Sequence, residues 1–369
     1  MGSLFDYLNW RGDLSFSQSE LNDVDSLIFS LLSYMDYSGI VSASHESRET
    51  VPLRTAINSY FTKNPDPRKI SLGLMVPRAI LDLLRVVKET KRFRNIGVKA
   101  HVNMIDLKSE MQFSATTFLI DEKTAVIAFR GTDDTLVGWK ENFNMSFMEV
   151  VPAQKQAVLY LEEAALNFSG DLYLTGHSKG GNLAVYSAVH SRDSIQKRLV
   201  RIWSNDGPGF CHKMLDNPDY IKVRPLIRTL IPQSSIVGIL LEHEENYTVV
   251  KSRQKGALQH DGFTWEIMGD SFVCLQTVTD ECKRFDKTLN QWINQMSLEQ
   301  REQFAEGLYQ LLSAENVLTL TDLVTMRRKW LARGKEIDPH VYKTLSEMLS
   351  VLVNLSAKNF IDDIRPKKK

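Results

Sequence analysis

The chain has 369 residues, 43% of them hydrophobic, with 45 Lys+Arg set against 45 Asp+Glu. That is enough apolar content for one large domain, or a domain plus an appendage, while a formal net charge of zero gives no electrostatic footprint for nucleic acid or an acidic partner. The three cysteines, Cys211, Cys274 and Cys282, lack metal-ligand spacing and cannot all pair; no apolar run reaches the roughly 18 residues of a membrane span; and the opening MGSLFDYLNWRGDL has no basic-then-apolar signal pattern, so a cytoplasmic protein is expected.

Residues 1–97 read as a mainly helical cover. Asn22 and Asp23 can cap a helix with Val24, Leu27, Ile28, Leu31 and Leu32 on one face. Residues 42–68 are polar, carry Pro52, Pro65 and Pro67, and read as loop with one short helix. Pro77 suits the first turn of a helix through Ile80, Leu81, Leu84 and Val87.

At Val98 the pattern turns to strands. Val98 to Leu107 alternates, with Val102, Met104 and, at the end, Ile105 inward. Thr116 to Ile120 and Thr124 to Phe129 flank Asp121-Glu122-Lys123 as a hairpin. A helix over Ala153 to Phe168 precedes short strands at Leu172 to Thr175, Val200 to Ser204 and Leu226 to Ile231, with helical patterns between the first two. Strands alternating with helices predict an α/β fold over residues 98–279, a mostly parallel central sheet covered on both faces. Sites in such sheets gather at the carboxyl ends of the strands.

From Asp280 helical spacing returns, with Phe285, Leu289, Trp292, Ile293 and Met296 on one face. Ser297 and Gln300 suit a capping box for a helix carrying Phe304, Leu308, Leu311 and Leu312, and Leu345, Met348, Leu349, Leu352 and Leu355 form a further face. Residues 280–369 are therefore expected to form a helical extension that packs on the core or serves as a homodimer surface.

The chemistry concentrates at Asp171 to Ala184. Gly176-His177-Ser178-Lys179-Gly180 fits G-x-S-x-G between a strand end and a helix start, the context of a nucleophile elbow. A plain Gly-rich turn with a capping serine would also fit the five residues; the flanking strand and helix favour the elbow. A serine hydroxyl needs a base in hydrogen-bond reach, usually histidine. Of eight histidines, His177 shares the turn with Ser178 and should point away from it as a packing residue. His45, His101 and His340 lie in peripheral segments, and His190 ends the helix after the elbow. His260, in the turn-like Gln259-His260-Asp261-Gly262-Phe263, falls late in the sheet domain, where this architecture places its histidine. Of the other two that remain, His212 and His243, His243 is the reserve.

The third member should be a carboxylate at a strand end between Ser178 and His260. Asp206, directly after Val200 to Ser204, qualifies. The end of Leu226 to Ile231 offers only Gln233, Ser234 and Ser235. Asp-Gly-Pro would also explain Asp206 as a turn residue. For the oxyanion hole, the backbone N–H of Lys179 follows from the elbow, and the loop Phe129-Arg130-Gly131-Thr132-Asp133-Asp134 could supply Thr132 through its backbone N–H and its hydroxyl.

With these pieces named, the chain resembles the class 3 lipase branch of the α/β-hydrolase superfamily, and within it a group of uncharacterised bacterial lipase-like proteins of Mbeg type. The residues that carry the resemblance are Ala128-Phe129-Arg130-Gly131-Thr132 with Trp139, then Thr175 to Ala184, then His260 with Trp265. The resemblance implies an α/β-hydrolase fold and a serine ester hydrolase acting on an ester or lipid-like substrate, with no metal or organic cofactor. It places an oxyanion role on Thr132 and a lid on the apolar stretch Thr135 to Val150. Two positions depart from it. Lys179 stands where the family usually has leucine, and the usual acid position falls on Gln233 to Ser235, so Asp206 supplies the acid from the preceding strand or the triad is incomplete. A non-catalytic scaffold that binds a partner or lipid, and an acyltransferase using the same residues, are the rival readings.

Overall fold

Nine strands form one sheet in the order β1-β2-β3-β4-β5-β6-β7-β8-β11, seen in a computed structural model that describes residues 1–313 except 71, 73–75, 134, 146–147, 242, 244, 284–285 and 287–296. The strands are β1 (Val51–Pro52), β2 (Gly97–Asp106), β3 (Met111–Leu119), β4 (Thr124–Phe129), β5 (Asp171–His177), β6 (Leu199–Asn205), β7 (Ile227–Pro232), β8 (Tyr247–Val250) and β11 (Cys274–Leu275). Strands β4 to β8 run parallel; β1, β2 and β3 join antiparallel at one edge and β11 at the other. The short pair β9 (Ile267–Met268) and β10 (Ser271–Phe272) stands apart. This mixed, mostly parallel sheet with helices on both faces is an α/β-hydrolase fold.

Each face has its own apolar layer. On one side lie α1 (Leu4–Arg11), α2 (Asp23–Leu32), α3 (Leu53–Lys63) and α4 (Ala79–Val87), packed with Phe118, Val126 and Ala128 of the sheet. Helix α2 is capped by Asn22, whose side chain accepts from the N–H groups of Val24 and Asp25. It is buried all round and carries serines toward the sheet: Ser30 Oγ lies 2.8 Å from Thr175 Oγ1 of β5, and that threonine donates to Ser26 O. A helix of this kind has its polar groups answered by the strand it crosses.

On the other side lie α6 (Pro152–Leu166) and α7 (Lys179–His190), followed by α8 (Asp193–Gln196), α9 (His212–Leu215) and α10 (Pro218–Val223). Ala157, Leu161 and Ala164 of α6 and Leu183, Ala184 and Ala188 of α7 pack on Ile127, Leu172 and Leu174. Helix α5 (Leu136–Asn144) lies in the span expected to be a lid, and the last described helix, α11 (Leu298–Ser313), packs against it. Ser297 and Gln300 make the reciprocal capping bonds at its start. The helical faces expected at Phe285 to Met296 and Leu345 to Leu355 lie outside the described residues. Among the described residues no helix is long and apolar enough to cross a membrane.

One expectation needs correction. Met104 and Ile105 are exposed instead of inward. Only Ala115 to Leu119 of β3 pair with β4, while β2 and β3 continue together to the Asp106–Met111 pair. Beyond the β4 pairing, Asn103 to Asp106 of β2 are exposed, while Met111 to Ser114 of β3 beside them stay buried, with Gln112 bonded to Glu141 of α5. Strand β8 has no counterpart in the sequence reading, because four residues after a Glu-rich run carry too short a periodic signal.

Candidate active site

Three adjacent parallel strands end in register at this site. Phe129 of β4, Gly176 of β5 and Ser204 of β6 stand side by side. The segments that follow them are Arg130 to Asp133, Ser178 and Asp206, one strand spacing of about 4.8 Å from the next. Gly131 closes the gap between the first two: a Cβ there would lie 3.0 Å from Ser178 Cβ.

Ser178 ends β5 and precedes α7 with φ 58° and ψ −134°, a conformation that costs a side-chain-bearing residue strain. The turn can be this sharp because Gly176 has no Cβ; one there would meet Gly180 C at 2.0 Å. The bend aims Ser178 off the strand line and leaves the N–H of Lys179 at the first position of α7, where no intrahelical acceptor exists. Among the described residues the Ser178 hydroxyl makes no hydrogen bond, including to His260.

Asp206 follows β6 with φ 52°, a left-handed conformation that aspartate tolerates better than most. It is fully buried. His260 Nδ1 donates to its Oδ2 at 2.6 Å, and the Ser235 hydroxyl and Gly238 N–H donate to its Oδ1 at 2.5 and 3.1 Å. The two places weighed for the acid are thus neighbours: the loop after β7, which holds no carboxylate, supplies Ser235 to orient the carboxylate that comes from β6. With Nδ1 protonated, the neutral His260 ring presents an unprotonated Nε2, and that atom carries no hydrogen bond among the described residues.

His260 ends a 3₁₀ turn, Gly256–His260. The buried Trp265 holds that turn, its Nε1 donating to Gln259 O at 2.9 Å, and Gln259 Oε1 accepts from Ser234 N at 2.8 Å. His177 holds it from the other side, its Nε2 donating to His260 O at 2.7 Å, with the two rings 4.5 Å apart. Since a carbonyl only accepts, Nε2 of His177 carries the proton and Nδ1 can accept from the Tyr34 hydroxyl at 3.4 Å. Burial, and secondarily the nearby His260, push the His177 imidazole down to about 3, which keeps it neutral. It packs, as expected of it, but it also grips the backbone of His260, which sequence spacing does not reveal.

His243 goes elsewhere: its Nδ1 donates to Glu245 Oε1 at 2.9 Å. Burial favours the neutral Glu245 carboxyl, but bonds from His243, Tyr220 and Thr229 outweigh it and bring this acid to about 2. Asp261 caps the next turn through Phe263 N–H. Arg130 pairs with Asp133 at 3.0 Å.

The two residues expected at the oxyanion hole have their side chains engaged. The Thr132 hydroxyl lies 3.1 Å from Asn142 Oδ1 and accepts from Asn142 Nδ2 at 2.8 Å, so only its backbone N–H is left to offer. Lys179 is buried, its Nζ donating to Gln112 O at 2.7 Å, Gln112 Oε1 at 2.8 Å and Glu141 Oε2 at 2.8 Å. Among the described residues no acceptor pairs with the backbone N–H of either Thr132 or Lys179. Lys179 thus buries a charge, and Glu141 of α5 answers it.

A family described as Mbeg1-like matches residues 87–310, more than half of the chain. No curated protein matches. Among solved structures, a fungal lipase–inhibitor complex studied for interfacial activation is similar at a TM-score of 0.37 and 14% identity, over 62% of this chain and 80% of that one. The native Rhizomucor miehei lipase propeptide complex gives 0.38 and 13% over 80% of each chain, and M37 lipase gives 0.38 and 14% over 60% of this chain and 70% of that one.

Proposed function

The chain belongs to the Mbeg1-like family, and on that premise we propose that it is a serine hydrolase of lipase or esterase type, acting on an ester or other acyl substrate. The observation that carries this reading is the His260–Asp206 hydrogen bond of 2.6 Å, formed beside the left-handed turn at Ser178. In the proposed reaction Ser178 Oγ attacks the acyl carbonyl while His260 Nε2 takes its proton. Asp206 stabilises the charged ring through Nδ1. The N–H groups of Lys179 and Thr132 receive the oxyanion. Collapse expels the alcohol, protonated from Nε2, and water repeats the sequence on the acyl-enzyme. The open Ser178–His260 contact must close on binding, as catalytic hydrogen bonds often do.

A fluorophosphonate probe should label Ser178, and Ser178→Ala should abolish labelling. Asp206→Asn should lower kcat by about 10⁴, the loss seen when a triad acid is neutralised. The unmade Ser178–His260 bond favours one rival, a non-catalytic scaffold that binds a partner or lipid. A folded native protein that resists the probe, and turns over no ester, would establish that rival.

A further inference from the structure

We propose that α5 is a splint across the oxyanion hole, with Glu141 and Asn142 as positioning residues, and does not swing as a lid. The proposal rests on the hydrolase reading in taking the Lys179 and Thr132 N–H groups as the oxyanion donors.

Those donors sit on separate segments, one at the start of α7 and one after β4. Two consecutive residues of α5 hold both. Glu141 takes the Lys179 ammonium at 2.8 Å and Asn142 takes the Thr132 hydroxyl. Adjacent helix residues are about 1.5 Å apart along the axis, so one rigid turn fixes the spacing of the two attachments. Glu141 is satisfied on every side: Oε1 accepts from Ala153 N at 2.8 Å, and Oε2 accepts also from Gln112 N at 3.3 Å.

Both charges of the Lys179–Glu141 pair are buried. Lifting α5 would carry Glu141 away and leave the buried Lys179 ammonium without its counter-charge, which is strongly unfavourable. The outer side of α5 is held as well. Lys140 Nζ reaches Glu110 Oε1 at 2.6 Å and Glu306 Oε2 of α11 at 2.5 Å, and lies 4.4 Å over the Tyr309 ring. A helix clamped inward to the elbow and outward to α11 sets the hole and does not uncover it.

The test uses the full chain, a short-chain p-nitrophenyl ester, and amide hydrogen exchange. Asn142 is only half-buried, so Asn142→Ala should keep the fold. It should lower kcat by about 10²-fold, the loss expected from misplacing a group by about 1 Å, with KM within about twofold. Asn142→Asp keeps an acceptor for the Thr132 hydroxyl and should recover most of the rate. Both Asn142→Ala and Lys179→Met should speed exchange at residues 130–133 by about tenfold or more relative to β5 and β6. Unchanged kcat with raised KM in Asn142→Ala would make α5 a substrate-contacting cover and overturn the proposal. So would unaltered exchange at 130–133. Should Lys179→Met fail to fold, Asn142→Ala decides alone. If the native protein neither hydrolyses esters nor takes up the fluorophosphonate, the hydrolase reading fails, while exchange at 130–133 still upholds or overturns the splint.

Discussion

His177 shows how much a single neutral ring contributes here. Its pKa of about 3 lies well below the roughly 6.5 of an unfolded chain. Between those values the unfolded state takes up a proton that the folded state refuses. Stability is therefore fully present above about pH 6.5 and falls as the pH drops, by about 1.4 kcal/mol per unit from this group. His177→Gln keeps an N–H near the position of Nε2 and should remove that slope. Urea unfolding of both proteins between about pH 4 and 6.5 should show the variant flatter by close to one proton. His45, brought to about 4 by burial and the nearby Lys99, contributes to both proteins and cancels. The sharp turn at Ser178 was legible at this scale because its motif needs only local context, and the pairing of Asp206 with His260 because the rival position lacked a carboxylate. The grip of His177 on His260 was not, since it joins residues 83 positions apart through a backbone carbonyl.

At the scale of elements, the best-read pieces are those whose signals are local. Asn22 and the apolar face of α2, the helix over 152–166 and the strands around β4, β5 and β6 all follow from caps and periodicity. Asn22→Ala removes the acceptor for two N–H groups and should lower stability by about 1 kcal/mol, read as a lower urea midpoint with an unchanged m-value. The pairing of α5 with the elbow was illegible. Lys179 stood out as a departure from the leucine that the resemblance implies, but nothing in the sequence marks Glu141, 38 residues away, as its partner. The end of β2 was misread because alternation alone does not say whether a layer covers that part of the strand.

Taken whole, the molecule does not stop at its sheet. Thr279 N donates to Gln233 O at 2.7 Å, its hydroxyl meets Ser234 Oγ at 3.0 Å, and Cys282 Sγ donates to Ser235 O at 3.2 Å. The residues beyond β11 thus brace the loop that orients Asp206, across the boundary at which the helical extension was expected to begin. Burial pushes the Cys282 thiol up to about 11, whereas Cys211 and Cys274 are exposed. Iodoacetamide at about pH 8 should alkylate the two exposed thiols in the native protein, and Cys282 only after denaturation, as read by peptide mass spectrometry. Prompt native alkylation of Cys282 would mean that the brace opens readily.

The meeting of α2 with β5 also has a consequence for synthesis. Ser30 waits for Thr175, 145 residues further along. At the usual pace of translation that interval is roughly 10 s. For that time α2 is outside the ribosome without the strand that its serines face, so nascent chains should need chaperone shelter most before β5 emerges.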